Sequence, residues 1–207
     1  MLADGSELRL AGIEVTDASR GALQTLVAGH PLRLERLAPE TDRYGRLVAF
    51  AFIGDGQESV QQAMLERSYA RVSARLGDNA CADALLSAES AARAAGRGLW
   101  ADPNFAPLSA ENLSGLQAER GRFALVEGKV LSVHESGATV YVNFGRRWTR
   151  DFSVTNLKRL RRTFAAADVD LKQLEGRRIR VRGWIEQRGG PLIAAETPGQ
   201  IELLESE

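Results

Sequence analysis

The sequence predicts a mainly β protein of the α+β class, built from two small domains. Three strand-like segments followed by two helical segments occupy the first half, and about five strand-like segments with one helical insertion occupy the second. A stretch that carries two of the six prolines separates the halves. A chain of 207 residues is long enough for two such domains, each with its own core.

In the first half, the strand-like segments cover residues 8–13, 31–37 and 46–53. Apolar residues then recur at helical spacing over 60–74, and an alanine-rich helix is predicted over 80–96, where glycines end it. This order favours a small antiparallel sheet with two helices beside it.

In the second half, a helical insertion over 160–174 lies between the third and fourth of five strand-like segments. These segments are 123–134, 139–144, 151–157, 177–187 and 192–204. Five strands with a helix between the third and fourth is the order of an OB-fold barrel. We therefore expect a first domain over 1–102, a linker over 103–119 and an OB-like domain over 120–207.

Composition excludes several classes of protein. The single cysteine, Cys81, cannot form an intramolecular disulfide framework or a multi-cysteine metal cluster. No apolar run has the length of a membrane-spanning helix, and the N-terminus as written shows neither a charged leader nor an apolar signal core. The sequence as written is therefore expected to be cytoplasmic.

The charge differs between the halves although the net charge is zero. Residues 1–107 carry 11 basic and 14 acidic groups, whereas residues 108–207 carry 16 and 13. Of the 27 cations 24 are arginine, and both selection for phosphate contacts and a GC-rich genome account for that bias.

Two arginines in the first half lie where apolar strands begin or end. Arg9 belongs to the segment Leu-Arg-Leu-Ala-Gly-Ile-Glu at 8–14, and Arg46 ends the turn Asp-Arg-Tyr-Gly-Arg at 42–46. A planar guanidinium with five donors suits a phosphodiester that gains charge as it is attacked. The two segments together predict a phosphate-handling site.

These two segments, followed by Glu-Ser-Ala-Ala-Arg and Gly-Leu-Trp within 89–100, resemble the staphylococcal-nuclease (thermonuclease) family. The resemblance covers roughly residues 1–100. It implies a five-stranded barrel with two packed helices, so that the chain would hold two OB-like barrels in tandem. In this family calcium binds the scissile phosphate, a glutamate activates the attacking water, and two arginines hold the phosphate.

The resemblance also implies roles for individual residues. Arg9 and Arg46 match the two catalytic arginines, and Arg43 and Tyr44 match positions that contact a substrate phosphate. The alternative for each arginine is an ordinary surface ion pair, for instance Arg46 with Asp42.

The acidic half of this site departs from the family pattern. Glu14 stands at a calcium-ligand position and Asp17 at the general-base position, but one side chain is a methylene longer and the other a methylene shorter than in the family. Asp17 equally fits a turn or N-cap carboxylate.

The family's first strand ends in Asp-Gly-Asp-Thr, which supplies a further calcium ligand, and this sequence begins after it. We therefore expect the first barrel to lack its first strand and to expose a hydrogen-bonding edge. Three explanations would account for the missing strand: the start codon is assigned too late, the chain has been trimmed, or the domain has become an inert scaffold. With an upstream start, the protein could be secreted or periplasmic.

In the second half, cations lie among aromatic residues, as in OB folds that hold single strands of nucleic acid. We expect the nucleic-acid-binding residues there to be Arg146, Arg147, Trp148, Arg150, Arg180 and Arg182. A protein contact and a solvated basic face are the alternatives.

Strand alternation puts Tyr141 and Phe144 on opposite faces, so at most one of them can belong to a binding surface. His134 has no ligand-spaced partner in the sequence and is expected to be a surface residue.

Two functions follow. The first is a nuclease that hydrolyses DNA or RNA with Ca²⁺ as cofactor, Arg9, Asp17 and Arg46 as catalytic residues and Glu14 as a metal ligand. The second is a catalytically inactive nuclease-like scaffold, whose OB-like domain binds nucleic acid or a protein partner.

Overall fold

A computed structural model describes residues 2, 4–17, 19–75, 79–147 and 149–204. The chain divides into two compact units, Met1–Asp102 and Pro103–Glu207. Each unit contains both helices and strands, so the protein is of mixed α and β class. Among the described residues, no helix combines the length and apolar character that crossing a membrane requires.

The first unit keeps the predicted order of strands and helices, but it adds a helix over Ser19–Val27 between the first two predicted strands and differs in two further places. Its elements are β1 (Leu8–Leu10), β2 (Ile13–Val15), α1 (Ser19–Val27), β3 (Leu32–Thr41), β4 (Leu47–Ile53), α2 (Val60–Glu66), β5 (Ala70–Val72) and α3 (Asn79–Ala94). The segment 8–13 is divided by Gly12, whose φ of 73° turns the chain between β1 and β2. The predicted helix over 60–74 ends at Glu66, because Ser68 has a φ of 61° and β5 then pairs with β2.

β4 is the central strand of the first unit. It pairs antiparallel with β3 but in parallel with β1, so the prediction of an antiparallel sheet is wrong for β1, while β2 and β5 form a separate antiparallel pair. Phe50 and Ala51 of β4 pack in the core with Met64 and Leu65 of α2. The buried Gln61 side chain continues the hydrogen bonding of β4 past the end of β1, accepting from Ala51 N (3.2 Å) and donating to Ala49 O (3.0 Å).

The second unit includes the segment 103–119, which the sequence predicts as a linker. Here β6 (Leu108–Ser109) pairs in parallel with β7 (Phe123–Lys129), and α4 (Leu113–Ala118) buries Leu116 completely. The segment therefore packs on the second unit, because its apolar residues complete that unit's core. Proline content alone does not reveal this packing.

The remaining elements of the second unit are β8 (Ser132–Ser136), β9 (Thr139–Asn143), β10 (Ser153–Leu157), α5 (Arg161–Ala165), β11 (Arg178–Trp184), β12 (Glu186–Arg188), β13 (Gly190–Ala194) and β14 (Ile201–Leu204). One sheet has the order β12-β13-β10-β9-β8, and the other has the order β14-β11-β7-β6. The helical insertion is broken into short pieces, with Asp168 at a φ of 58° between α5 and a 3₁₀ turn at Leu171–Leu174. The tandem two-barrel arrangement stays a prediction.

Gln200 links strands of the two sheets in the second unit. Its side chain is buried, and Nε2 donates to Arg182 O of β11 and to Ala194 O of β13, each at 3.0 Å. Its Oε1 accepts from the backbone amides of Glu196 (2.7 Å) and Thr197 (3.0 Å). One amide side chain thus satisfies four backbone groups where β11 and β13 come together.

We expect Gln200→Leu to lower the free energy of unfolding of the second unit by about 2 to 4 kcal/mol, since it leaves several buried backbone groups unpaired. Urea denaturation followed by circular dichroism measures the effect. The exposed Gln117 supplies the matched control, and Gln117→Leu should change stability by less than about 0.5 kcal/mol. Equal effects of the two substitutions would show that Gln200 does not hold β11 and β13 together.

Candidate functional site

Arg9 and Arg46 lie on either side of one carboxylate. Asp42 Oδ2 accepts from Arg46 Nε at 2.9 Å and Nη2 at 2.7 Å, and Arg9 Nη1 lies 3.8 Å from the same oxygen. The arginines meet because Arg9 is on β1, Arg46 directly precedes β4, and these strands pair in parallel. The structure therefore contains the ion pair of Arg46 with Asp42, which the sequence suggests as the alternative to a catalytic role. Arg9 also faces Asp42.

The turn before β4 folds around the other oxygen of Asp42. Oδ1 accepts from the backbone amides of Tyr44 (2.9 Å) and Arg46 (3.1 Å), and Gly45 N donates to Asp42 O (2.9 Å). Gly45 has a φ of 77°, which favours glycine at this position. The sequence Asp-Arg-Tyr-Gly-Arg thus forms the turn and positions the Arg46 side chain beside Asp42.

The electrostatics of Asp42 follow from these contacts. The hydrogen bond from the Arg46 side chain is the main cause that lowers the pKa of Asp42 from 3.8 to about 2. The amides of Tyr44 and Arg46 lower this pKa further, whereas partial burial raises it. Asp42 is therefore ionised at neutral pH. With Arg9 and Arg46 it forms a group of net charge +1.

Tyr44 and Arg43 are the exposed part of this turn. The Tyr44 side chain is 67% exposed, and the guanidinium carbons of Arg43 and Arg46 lie 4.9 and 5.2 Å from its ring centroid. Cations and an aromatic face are thus presented together on one surface turn. All four residues that the resemblance assigns to phosphate contacts, Arg9, Arg43, Tyr44 and Arg46, belong to this turn or to β1 facing it.

The two carboxylates predicted for metal binding and catalysis lie on β2 and directly after it. Glu14 is on β2, and its Oε1 accepts a hydrogen bond from Ser73 Oγ at 2.7 Å. Asp17 is exposed between β2 and α1, and its backbone oxygen accepts from Arg20 N at 3.3 Å.

Calcium takes six to eight oxygen ligands, and carboxylates usually supply most of its charge balance. Within the described ranges, no group of three or more histidine, cysteine, aspartate or glutamate side chains is placed to hold a metal ion. One of the two Glu14 oxygens is already the acceptor for Ser73. The described residues therefore do not fit a calcium site.

In the second unit, three of the predicted arginines lie in the turn between β9 and β10. Arg146, Arg147 and Arg150 are exposed. Asp151 orders the turn by accepting from Arg147 N at 2.8 Å, and Arg147 O accepts from the amides of Arg150 and Asp151. Trp148 lies outside the described residues.

Arg180 and Arg182, which the sequence predicts to bind nucleic acid, are paired with acidic residues on the neighbouring strands. Arg180 Nε donates to Glu127 of β7 at 2.7 Å, and its Nη1 donates to Glu202 of β14 at 3.1 Å. Arg182 is completely buried and also pairs with Glu202. These two arginines stabilise the β14-β11-β7 sheet and are not a surface for a polyanion.

Three further basic residues of the second unit, Lys158, Arg161 and Lys172, pair with one carboxylate. Glu135 lies 2.9 Å from Lys158 Nζ, 3.3 Å from Arg161 Nη1 and 3.4 Å from Lys172 Nζ. The hydrogen bond from Lys158 is the main cause that lowers the pKa of Glu135. Because these basic residues are neutralised, the exposed arginines of the turn over 144–152 account for a larger share of the second unit's free positive charge than a count of its basic residues indicates.

Sequence reasoning missed a polar and aromatic cluster on β8 and β9. His134 is stacked on Tyr141, and its Nδ1 lies 2.9 Å from Asn143 Nδ2. Phe144, by contrast, packs against Phe152 and the core, so only Tyr141 of this pair faces outward, as the alternation allowed. The sequence carries no signal for this cluster, because His134 meets Tyr141 and Asn143 only through the pairing of β8 with β9.

We expect the pKa of Asp42, measured by NMR of its carboxyl carbon, to be about 2 in the wild type and to rise toward 3.8 in Arg46→Ala. It should remain below 3.8 because two amide donors persist. Since the pKa is depressed in the folded state, the stabilisation is complete above pH 3.8 and is lost as pH falls through about 2. Arg20→Ala, an exposed arginine of α1, is the control and should leave the value at about 2; an unchanged pKa in Arg46→Ala would refute the assigned cause.

The family model described as staphylococcal nuclease homologue matches residues 14–102. Among curated proteins, none matches the chain. The matched range runs from β2 past α3 and includes the turn of Arg43, Tyr44 and Arg46. The resemblance predicted from sequence is confirmed over this range: residues 14–102 are similar to the staphylococcal-nuclease family.

Proposed function

We propose that this chain is a nuclease-like protein that binds nucleic acid, and that Arg9 and Arg46 hold a phosphodiester group. The observation that supports this most strongly is the shared carboxylate: Asp42 orients the Arg46 guanidinium through two hydrogen bonds and lies 3.8 Å from Arg9, and the three groups together keep a net positive charge. Oriented guanidinium groups lose less conformational freedom when they bind an anion.

The arginine pair keeps donor capacity for such a ligand. Arg46 uses Nε and Nη2 for Asp42, and within the described part of the chain its Nη1 has no hydrogen-bond partner. The side chains of Arg9 and Arg46 are 30% and 34% exposed, whereas that of Asp42 is 10% exposed. An incoming phosphate therefore meets the cations before it meets the carboxylate.

Arg43 and Tyr44 extend the same surface. Arg9, Arg43 and Arg46 carry three positive charges, and Asp42 and Glu7, whose charge also acts on Arg46, carry two negative charges, so the net charge is +1. Tyr44 contributes an exposed ring beside these cations. Phosphate contacts supply most of the sequence-independent affinity for nucleic acid, and they depend on salt.

Calcium-dependent hydrolysis, with Asp17 as general base and Glu14 as metal ligand, stays a prediction. The described residues do not support it, since the carboxylates do not gather into a metal site and Glu14 accepts from Ser73. We therefore propose binding, and assign no hydrolytic step to calcium.

The second unit is proposed to be an OB-like barrel that adds to this binding. The strand order β8-β9-β10-β13-β12 supports it, with β10 parallel to β13, as does the pairing of β7 with β11. β8 follows β7 closely, and β12 follows β11 closely, so both pairs can act as single bent strands. Arg146, Arg147 and Arg150 are the residues of this unit proposed to contact phosphate.

We expect Arg46→Ala to weaken binding of labelled single-stranded DNA and RNA, and to lower the slope of log affinity against log salt by about 1 because one phosphate contact is lost. Fluorescence anisotropy between about 50 and 200 mM salt measures both quantities. Arg20→Ala is the matched control and should bind as the wild type does. Circular dichroism verifies that each variant is folded.

Two results would contradict the proposal. If the folded wild type binds neither DNA nor RNA, or if Arg46→Ala and Arg20→Ala bind equally, the arginine pair does not hold phosphate. The same samples incubated with calcium or with a chelator test hydrolysis. Calcium-dependent cleavage that disappears in Arg46→Ala would replace the binding proposal with the nuclease prediction.

A further inference from the structure

We propose that the stacked rings of His134 and Tyr141 form a platform for a base of single-stranded nucleic acid on the second unit. This inference rests on the proposed function, because it names the form of nucleic acid that the second unit holds. It adds three residues, His134, Tyr141 and Asn143, to the arginines predicted from sequence.

The two rings are held together by strand pairing. His134 of β8 lies directly opposite Tyr141 of β9, and the rings are nearly parallel, with centroids 5.1 Å apart and an interplanar angle of 9°. His134 is exposed and Tyr141 is half-buried. Bases of unpaired strands stack on aromatic side chains of this kind whatever their sequence, because every base has a π face.

Asn143 fixes the orientation of the His134 ring. Its Nδ2 lies 2.9 Å from His134 Nδ1 and 3.3 Å from Ser132 Oγ, while Asn143 itself is 4% exposed. Either orientation of the amide holds the ring, since Nδ1 can accept from Nδ2 or donate to Oδ1. A surface histidine that a buried residue already orders loses less freedom on binding than a mobile one does.

The amide of Asn143 is itself unusual for a purely structural residue. Its Oδ1 is buried, and no described residue gives it a hydrogen bond. Buried polar atoms without a partner are rare, and they cost free energy that the fold must recover elsewhere. A leucine at this position would fill the space without that cost, so we infer that asparagine serves to hold His134.

Positive charge lies at the end of the same hairpin. β9 ends at Asn143, two residues beyond Tyr141, which is about 7 Å along a strand. The turn that follows carries Arg146, Arg147 and Arg150, all exposed, and the Asp151 carboxylate accepts from the Arg147 amide. A base stacked on the platform would therefore place its neighbouring phosphates within reach of these arginines.

The occupant is an unpaired strand because a duplex keeps its bases stacked on each other. An apolar side chain of a protein partner could also lie on the rings, but the adjacent exposed arginines favour a polyanion. Binding of a protein partner is therefore the alternative that the experiment must distinguish from binding of an unpaired strand.

The experiment compares two labelled oligonucleotides of about ten nucleotides, which is within the site size of an OB fold. One is an ordinary single strand, and the other has the same backbone with abasic sites in place of its bases. Fluorescence anisotropy gives the affinity ratio between them for the wild type, His134→Ala and Tyr141→Leu. His30→Ala, the other histidine of the chain and an exposed one, is the matched control.

We expect the wild type and His30→Ala to prefer the strand with bases by at least about 5-fold, the lower end of the stacking contribution of one base. In His134→Ala and Tyr141→Leu the ratio should fall toward 1, with the salt dependence unchanged because the phosphate contacts remain. Asn143→Leu should lower the ratio partially, because the rings are present but His134 is no longer fixed.

A wild type that binds both strands equally would overturn the platform while leaving the proposed function intact, provided that Arg46→Ala still weakens binding. Folded His134→Ala and Tyr141→Leu proteins that keep the wild-type ratio would also overturn it. Absence of binding to either strand would overturn both proposals.

Discussion

The contact between Asp42 and the two guanidinium groups determines the local structure and the electrostatics of the first unit's site. One oxygen of this carboxylate orders the turn through two backbone amides, and the other orients Arg46 and faces Arg9. Without it, two arginines with a like charge would repel each other, and the turn would lose its internal acceptor. In the proposed function this interaction supports both folding and phosphate binding, since the group that holds the cations close still leaves them a net positive charge.

The second unit shows how the partners of an arginine decide what it does. On β11, glutamates of β7 and β14 neutralise Arg180 and Arg182, and burial makes these ion pairs part of the sheet. In the turn after β9, the Asp151 carboxylate binds the Arg147 backbone amide, so that the arginine side chains remain exposed. Arginines thus stabilise the fold on β11 and present exposed positive charge in the turn after β9.

Features of the fold and of the candidate sites could be predicted from the sequence where the residues that determine them are close together in the chain. The turn of Asp42 to Arg46 has its glycine, its acceptor and its cation within five positions, whereas the parallel pairing of β1 with β4 that brings Arg9 beside the turn is not apparent from the strand patterns. The pairing of Arg182 with Glu202 could not be predicted, because it depends on strand register across twenty residues. The same holds for His134 and Asn143, which meet only through the pairing of β8 with β9, and for Leu116, whose burial depends on the core of the second unit.

The central claim is that nucleic acid contacts the arginine turn of the first unit and the β8–β9 surface of the second. Backbone amide chemical-shift mapping of the labelled protein, titrated with a short single-stranded oligonucleotide, tests it most directly. The account predicts shifts concentrated at residues 42–46 and across 132–150, with little change around Arg180 and Arg182. Shifts concentrated on β11 and β14, or scattered without a focus in either unit, would contradict it.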